Sequence, residues 1–392
     1  MRFARSFLVL LFSSQAGCAG EDPAPEPIQC SADADCSATP ETPLCDTPNR
    51  ACVALPPGHQ IGFRDGSPAS VALVPVFEPA QARMPTDLAF NPAKPTELWV
   101  VNRQDDSVDI IQRPGAPDMT WERRYDPAAD HFMAHMPALA FGVESADWGM
   151  TWATCGDGTN GGNGFIGPAL FSADLDVFAT DTLGGLGSHL DMLHSTELCR
   201  GIAHVEANVY WVFNADQGSL DKYDFKEDHG PGNDDHADGE IYRYAQGLVR
   251  GVDDIPSHII HSAEDRQLYI ADTGNQRIAR LDTESGEMGP EFGGDEPVVE
   301  RRHVVDAAVA DVVPPGLLQA PSGIELHDGL LFVTDHATSR FHAFDLNGQL
   351  VRTLDTGLLP GSLAGFTFGP DDGKVYFTDL SSGIIYRIDP LF

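Results

Sequence analysis

The chain carries 14 histidines, and several stand where an imidazole is an unexpected choice. His258 takes the third place in Pro256-Ser257-His258-Ile259, where a parallel stretch, Pro321-Ser322-Gly323-Ile324, has a turn-friendly glycine, and His336 directly follows Asp335. His131 and His135 fall in DHFMAHMP, and His189, Asp191 and His194 in GSHLDMLHSTELC. Neutral imidazoles beside carboxylates suit Zn, Fe, Cu or Ni better than Ca, because nitrogen ligands favour borderline metals. The expectation is a divalent transition metal, zinc or similar, held by His258 with members of the set His135, His189, His194 and His336. Surface or hydrogen-bonded histidines are the alternative.

A second cluster, FKEDHGPGNDDHADGEIY (225–242), sets Asp228, Asp234, Asp235, Asp238 and Glu240 among glycines that permit tight wrapping. Hard oxygen ligands at short spacing suit Ca²⁺. The spacing is not that of an EF-hand, so a solvated acidic loop is the alternative. The run CGDGTNGGNGFIGP (155–168) lacks the GK[ST] ending of a phosphate loop. No nucleophile elbow, HExxH or dinucleotide fingerprint in its required strand-to-helix context supports another catalytic class.

The N-terminus and the cysteines lead to the expectation that the chain is exported. MRFARSFLVLLFSSQAGC has two arginines, a short apolar stretch and small residues, the layout of an export signal. Its end, Gln15-Ala16-Gly17-Cys18, resembles the lipobox of bacterial lipoproteins, which implies that Cys18 is the lipid anchor of the mature chain. Gln15 is not the usual aliphatic residue, which leaves cleavage by an ordinary signal peptidase open. Without Cys18 six cysteines remain, an even number suited to an oxidising compartment. Cys30, Cys36, Cys45 and Cys52 lie in a stretch poor in apolar residues that two disulfides must hold, in one of three connectivities. Their spacing has no CxxC knuckle, which disfavours zinc there. This divides the chain into a signal (1–18), an acidic Pro-rich tether (19–29), a disulfide segment (30–58) and a body (59–392). Nothing after the signal approaches 18 consecutive apolar residues, so any membrane attachment is through the lipid.

The body must position these groups, and its composition limits how. With 39 glycines and 29 prolines the whole chain is too turn-rich for a helical bundle, while 42% hydrophobic residues supply a core. Fifty-nine acids against 24 bases give a net charge of −35, which excludes nucleic acid as a partner. One unit recurs: PSHIIHSAEDRQLYIADTGNQRIARLD (256–282), PSGIELHDGLLFVTDHATSRFHAFD (321–345), LAGFTFGPDDGKVYFTDLSSGIIYRID (363–389) and PTDLAFNPAKPTELWVVNRQDDSVDII (85–111), with weaker copies from 136 and 199. Each is a strand, a turn, a second strand ending in Asp or Asn, and a third strand. LYIADTGNQRI resembles the NHL repeat, which implies an all-β, six-bladed propeller over 59–392, with 69–77 available to complete the last blade.

In such a blade the start of the first strand and the end of the second share one face. Asp87, Arg200, Asp272 and Asp335 are then expected on the channel face, behind or beside a metal, with Asp191 in support. Cys155 and Cys199 meet there and are expected to form a disulfide; inert thiols are the alternative. The acidic loop 225–242 joins a third strand to a fourth, on the opposite face. Peptidyl-hydroxyglycine amidating lyases are similar in fold, and the resemblance implies zinc on three first-strand histidines. Only His258 matches such a position; Asp87, Gly201 and Gly323 stand at others. Two functions follow as expectations. One is an exported, lipid-anchored, monomeric binding module for a small molecule, glycan or envelope protein, at the outer membrane, periplasm or cell surface. The other is a metal-dependent lyase or hydrolase using the channel.

Overall fold

Short apolar runs punctuated by Gly, Asn and Asp turns fold as antiparallel strands in this computed structural model, which describes residues 30–391 apart from 37, 39–41, 47, 80, 82, 159–165, 181–184 and 295. The signal, Cys18 and the tether lie outside the described residues. Contacts divide the chain into two units, Met1–Leu55 and Pro56–Phe392. In the first, Leu44–Asp46 pairs with Ala51–Val53, and disulfides join Cys30 to Cys45 and Cys36 to Cys52. Among the described residues no helix is long and apolar enough to cross a membrane.

The second unit is a six-bladed β-propeller. Blade 1 holds Pro85–Asn91, Lys94–Asn102, Ser107–Gln112 and Thr120–Arg124; blade 2 holds Leu139–Ser145, Gly149–Cys155, Pro168–Ser172 and His189–Met192. Blade 3 holds Cys199–Glu206, Val209–Asn214, Ser219–Asp224 and Glu240–Tyr244; blade 4 holds Ile259–Ser262, Gln267–Asp272, Arg277–Asp282 and Val309–Val313. Blade 5 runs through Pro321–His327, Leu330–Asp335, Arg340–Asp345 and Leu350–Asp355. Blade 6 has Leu363–Phe368, Val375–Asp379 and Ile385–Pro390, and its outer strand is the N-terminal Val71–Phe77, antiparallel to Ile385–Pro390. Each first strand touches those of both neighbours, and the sixth touches the first, closing the ring.

Second strands lie between two neighbouring blades and are buried on both faces. Their sequences therefore read as continuous apolar runs rather than alternations: every residue of Val209–Asn214 and Leu330–Asp335 is buried. The core consists of clusters between blades, such as Trp99 of blade 1 packed edge-on against Trp152 of blade 2. The Asp and Asn residues that end second strands hold turns. Asp335 accepts the backbone N–H groups of Gln319, Ala320 and Ala337, and Asp272 accepts from the Arg250 N–H, Asn275 and Arg277. Blade 4 also sends out a hairpin, Glu287–Glu291 with Glu300–Val305, whose second strand adds in parallel to the outer strand of blade 3.

Candidate functional site

Aligned first strands place Asp87, Ala138, Gly201, His258, Gly323 and Gly365 at one level of the ring. Four of the six are Ala or Gly because the strands converge there. A Cβ on Gly323 would sit 2.3 Å from the Ala364 carbonyl oxygen, and one on Gly365 would sit 2.2 Å from Asp87 Oδ1. Asp87 and His258 are the two ionisable side chains at this level. They face each other, with His258 Nδ1 3.7 Å from Asp87 Oδ1.

The tautomer of His258 follows from its other nitrogen. Nε2 lies 3.0 Å from the Pro137 carbonyl oxygen, which only accepts, so Nε2 carries a proton and Nδ1 is left toward Asp87. Asp87 Oδ2 accepts the Leu139 N–H at 3.0 Å. Burial raises its pKa against the pull of His258. A cavity of ≈ 200 Å³ opens beside the pair, walled by Leu88, Ile202, Ile260 and Ile324, with Glu325 and His204 as further ionisable groups. Enclosure by the ring, with the Asp87 charge nearby, pushes the Glu325 pKa up to about 8. The site thus holds two carboxyl groups biased toward the neutral acid beside an imidazole.

At the strand-start end lies a layer of charge. Arg103, just after the second strand of blade 1, and Arg200, in the first strand of blade 3, both pair with Asp157 of blade 2. Arg103 also donates to the His135 carbonyl at 3.1 Å and to Asp254 at 2.9 Å, and Arg200 reaches Asp253 at 3.4 Å. Burial, with the charge of Arg103, lowers Arg200 to about 10. The Cys155–Cys199 disulfide, fully buried, ties blades 2 and 3 at the same end.

The expected histidine set separates. Among the described residues no group of three or more metal-binding side chains with ligand atoms within 4.8 Å includes His258, His135, His194 or His336. His135 is an exposed left-handed turn residue that gives its carbonyl to Arg103. His194 Nδ1 pairs with Glu296 at 2.5 Å, and His336 Nδ1 donates to the Leu363 carbonyl at 2.8 Å. His189 and Asp191 lie in the outer strand of blade 2, His189–Met192, rather than in a segment leading onto the channel face. There they meet His229 and His236 of the 225–242 loop. The carboxylates of that loop do not gather: Asp228 accepts from Trp148 Nε1, Asp235 and Asp238 accept backbone N–H groups, Glu240 pairs with Lys226, and Asp234 is exposed.

Glu325, Arg103 and Asp157 escaped the sequence reading. Glu325 was within reach of the repeat, since it stands two residues past Gly323, on the side facing the cavity. Arg103 and Asp157 carry no such signal, because they lie in loops that differ from blade to blade. A larger cleft of ≈ 710 Å³ runs between the outer edge of blade 3 and the added hairpin, lined by Arg243, His303 and Asp306. It is remote from the channel, and the Arg243 guanidinium there is already held by Asp221.

No family model matches the chain, and no curated protein matches it. Solved structures do. A virginiamycin B lyase from Staphylococcus aureus is 13% identical, with 82% of this chain and 100% of that chain covered and a TM-score of 0.51. A luciferin-regenerating enzyme is 11% identical over 82% of this chain and 96% of that one, at 0.51. An auxiliary nutrient binding protein from Bacteroides thetaiotaomicron is 11% identical over 78% and 69%, at 0.50. At such identity these likenesses bear on the fold, which hosts enzymes and binding proteins alike.

Proposed function

We propose that this chain is an exported NHL-type propeller that binds a small molecule in its central channel. The observation that carries this reading is the cavity beside Asp87, His258 and Glu325: concave, with aliphatic walls and convergent polar groups. Its ≈ 200 Å³ equals roughly six or seven waters, which favours a small molecule over a glycan or an envelope protein. Two carboxyl groups pushed toward neutrality are relieved by a cation, so the favoured ligand carries an amino group on a short apolar body. The shared architecture with a protein named as nutrient binding supports a binding role. The mature chain would be a monomer anchored by lipid on Cys18, at the outer membrane, periplasm or cell surface. Replacing Cys18 with serine should then move the protein from the detergent phase to the aqueous phase.

The second reading is a lyase or hydrolase, favoured by one observation: a buried acid, Asp87, set against the free nitrogen of His258 can trade a proton with a substrate. The two readings separate in one experiment. Thermal shift of the purified protein against short amines, amino acids and sugars should find amine-bearing ligands that stabilise it, with the effect lost in Asp87→Asn and Glu325→Gln. A panel with no stabilising member would overturn the binding reading. Recovery of a stabilising compound in altered form would replace it with the catalytic one.

A further inference from the structure

At the outer edge of blade 2, remote from the channel, four side chains converge that normally do not share a buried space without an ion. Asp191 and His189 come from the strand His189–Met192, and His229 and His236 from the loop joining the third and fourth strands of blade 3. The side chains of Asp191, His229 and His236 are 1%, 4% and 8% exposed. One ligand atom from each lies within 4.8 Å of the others. Asp191 Oδ1 is 3.2 Å from His236 Nδ1 and 4.0 Å from His229 Nε2. Ligands around a tetrahedral ion at about 2.0–2.2 Å stand roughly 3.3 Å apart, so only a small contraction is needed.

The hydrogen bonding leaves lone pairs free. His229 Nδ1 donates to the Gly230 carbonyl at 2.7 Å and His189 Nδ1 to the Leu186 carbonyl at 2.9 Å, so both rings keep the unprotonated nitrogen at Nε2. His229 Nε2, His189 Nε2 and Asp191 Oδ2 are buried and make no hydrogen bond. Buried polar atoms without partners are uncommon, and three in one cluster call for an ion.

The loop is built to hold this arrangement. The His229 N–H donates to the Leu190 carbonyl and the Gly232 N–H to the His189 carbonyl, stitching the loop to the strand that carries Asp191. Gly230 and Gly232 take left-handed φ values of 76° and 72°, which lets HGPG fold His229 inward. Trp148, in blade 2, donates to Asp228 at 2.7 Å and fixes the loop's entry. The charges of Asp234, Asp238 and Glu296 act on the cluster, a field that attracts cations.

We propose that Asp191, His229 and His236 bind one divalent first-row transition-metal ion, Zn²⁺ being the best fit, with His189 beside it. Nitrogen donors exclude Ca²⁺ as the preferred ion. Three protein ligands leave a position open to water or to His189. The site is independent of the channel and of the function proposed for it.

The test uses the full chain without a histidine tag, stripped with EDTA and dialysed against Zn²⁺. Elemental analysis should return one ion per chain, and X-ray absorption should show nitrogen and oxygen neighbours at about 2.0–2.1 Å with no sulfur. His229→Ala and His236→Ala should lose the ion, while His258→Ala and His336→Ala retain it. Competition with a chromophoric chelator should show Asp191→Asn weakened at least tenfold. Circular dichroism checks that the loop variants keep the propeller; if one does not fold, the wild-type spectrum and Asp191→Asn still decide. Retention of metal by both loop variants, its loss in His258→Ala, or no metal held by the wild-type chain would each overturn the assignment. Amine binding in the channel should be unchanged in His229→Ala, so failure of either site is read separately.

Discussion

Glu325 and His342 are both withdrawn from water, and they tilt stability in opposite directions with pH. Glu325 titrates near 8 in the folded chain against 4.5 when unfolded, because the ring encloses it and Asp87 lies close. Between those values the folded chain holds a proton that the unfolded chain has lost, so stability falls as pH rises through the window. Glu325→Gln should remove this slope and stabilise the protein at pH 9 by about 2–4 kcal/mol, allowing for channel water. Urea midpoints at pH 5 and pH 9 check it; parallel shifts in both proteins would show that Glu325 is ionised throughout. His342, buried in blade 5 with Nδ1 3.1 Å from Thr353 Oγ1, is lowered from 6.5 to about 4, chiefly by burial. Its contribution is intact above pH 6.5 and is lost as pH falls toward 4, by about 3 kcal/mol. A melting series from pH 7 to pH 4 should be flatter in His342→Gln than in the wild type.

The first strand is the element on which the ring depends. Its glycines stand where neighbouring strands come closest, and the obstacles are backbone atoms that cannot swing away. Gly323→Ala meets the Ala364 carbonyl oxygen at 2.3 Å, and Gly201→Ala meets that of Ser257 at 2.4 Å. Each should cost about 1–3 kcal/mol by overpacking, measured by chemical denaturation, while Gly293→Ala, with open space around it and no left-handed backbone, should cost less. The Cys155–Cys199 disulfide joins two blades across 44 residues. Chain-entropy arguments give it roughly 4 kcal/mol, with 2–5 typical when a native bridge is lost. Replacing both cysteines with alanine should lower the thermal midpoint, and reductant should then have no further effect on blades 2 and 3.

At the scale of the molecule the critical join is between the two ends of the propeller. Val71–Phe77 supplies the outer strand of blade 6, pairing Val74 with Arg387 and Leu73 with Ile388. It buries Val71, Val76 and Phe77. A chain starting at residue 79 would lack that strand and leave the Ile385–Pro390 edge open to pairing with other molecules. It should elute as aggregate in size-exclusion chromatography, whereas a chain starting at Pro56 should elute as a compact species.

The strand-turn-strand copies made the propeller legible, because each blade solves the same burial problem with the same residues. His258 and Asp87 were legible for the same reason: a repeat exposes any copy in which a small residue has been exchanged for a functional one. The companions of His189 were not. The sequence put His229 and His236 in an acidic loop and His189 in a different blade, and nothing in their spacing joins them. Only the closed ring, which brings the loop of blade 3 against the outer strand of blade 2, sets these groups beside one another. Arg103 and Asp157 likewise meet Arg200 only when three blades converge on one end. A sequence repeat determines what each blade must be, whereas contacts between the variable loops of different blades arise only in the assembled ring.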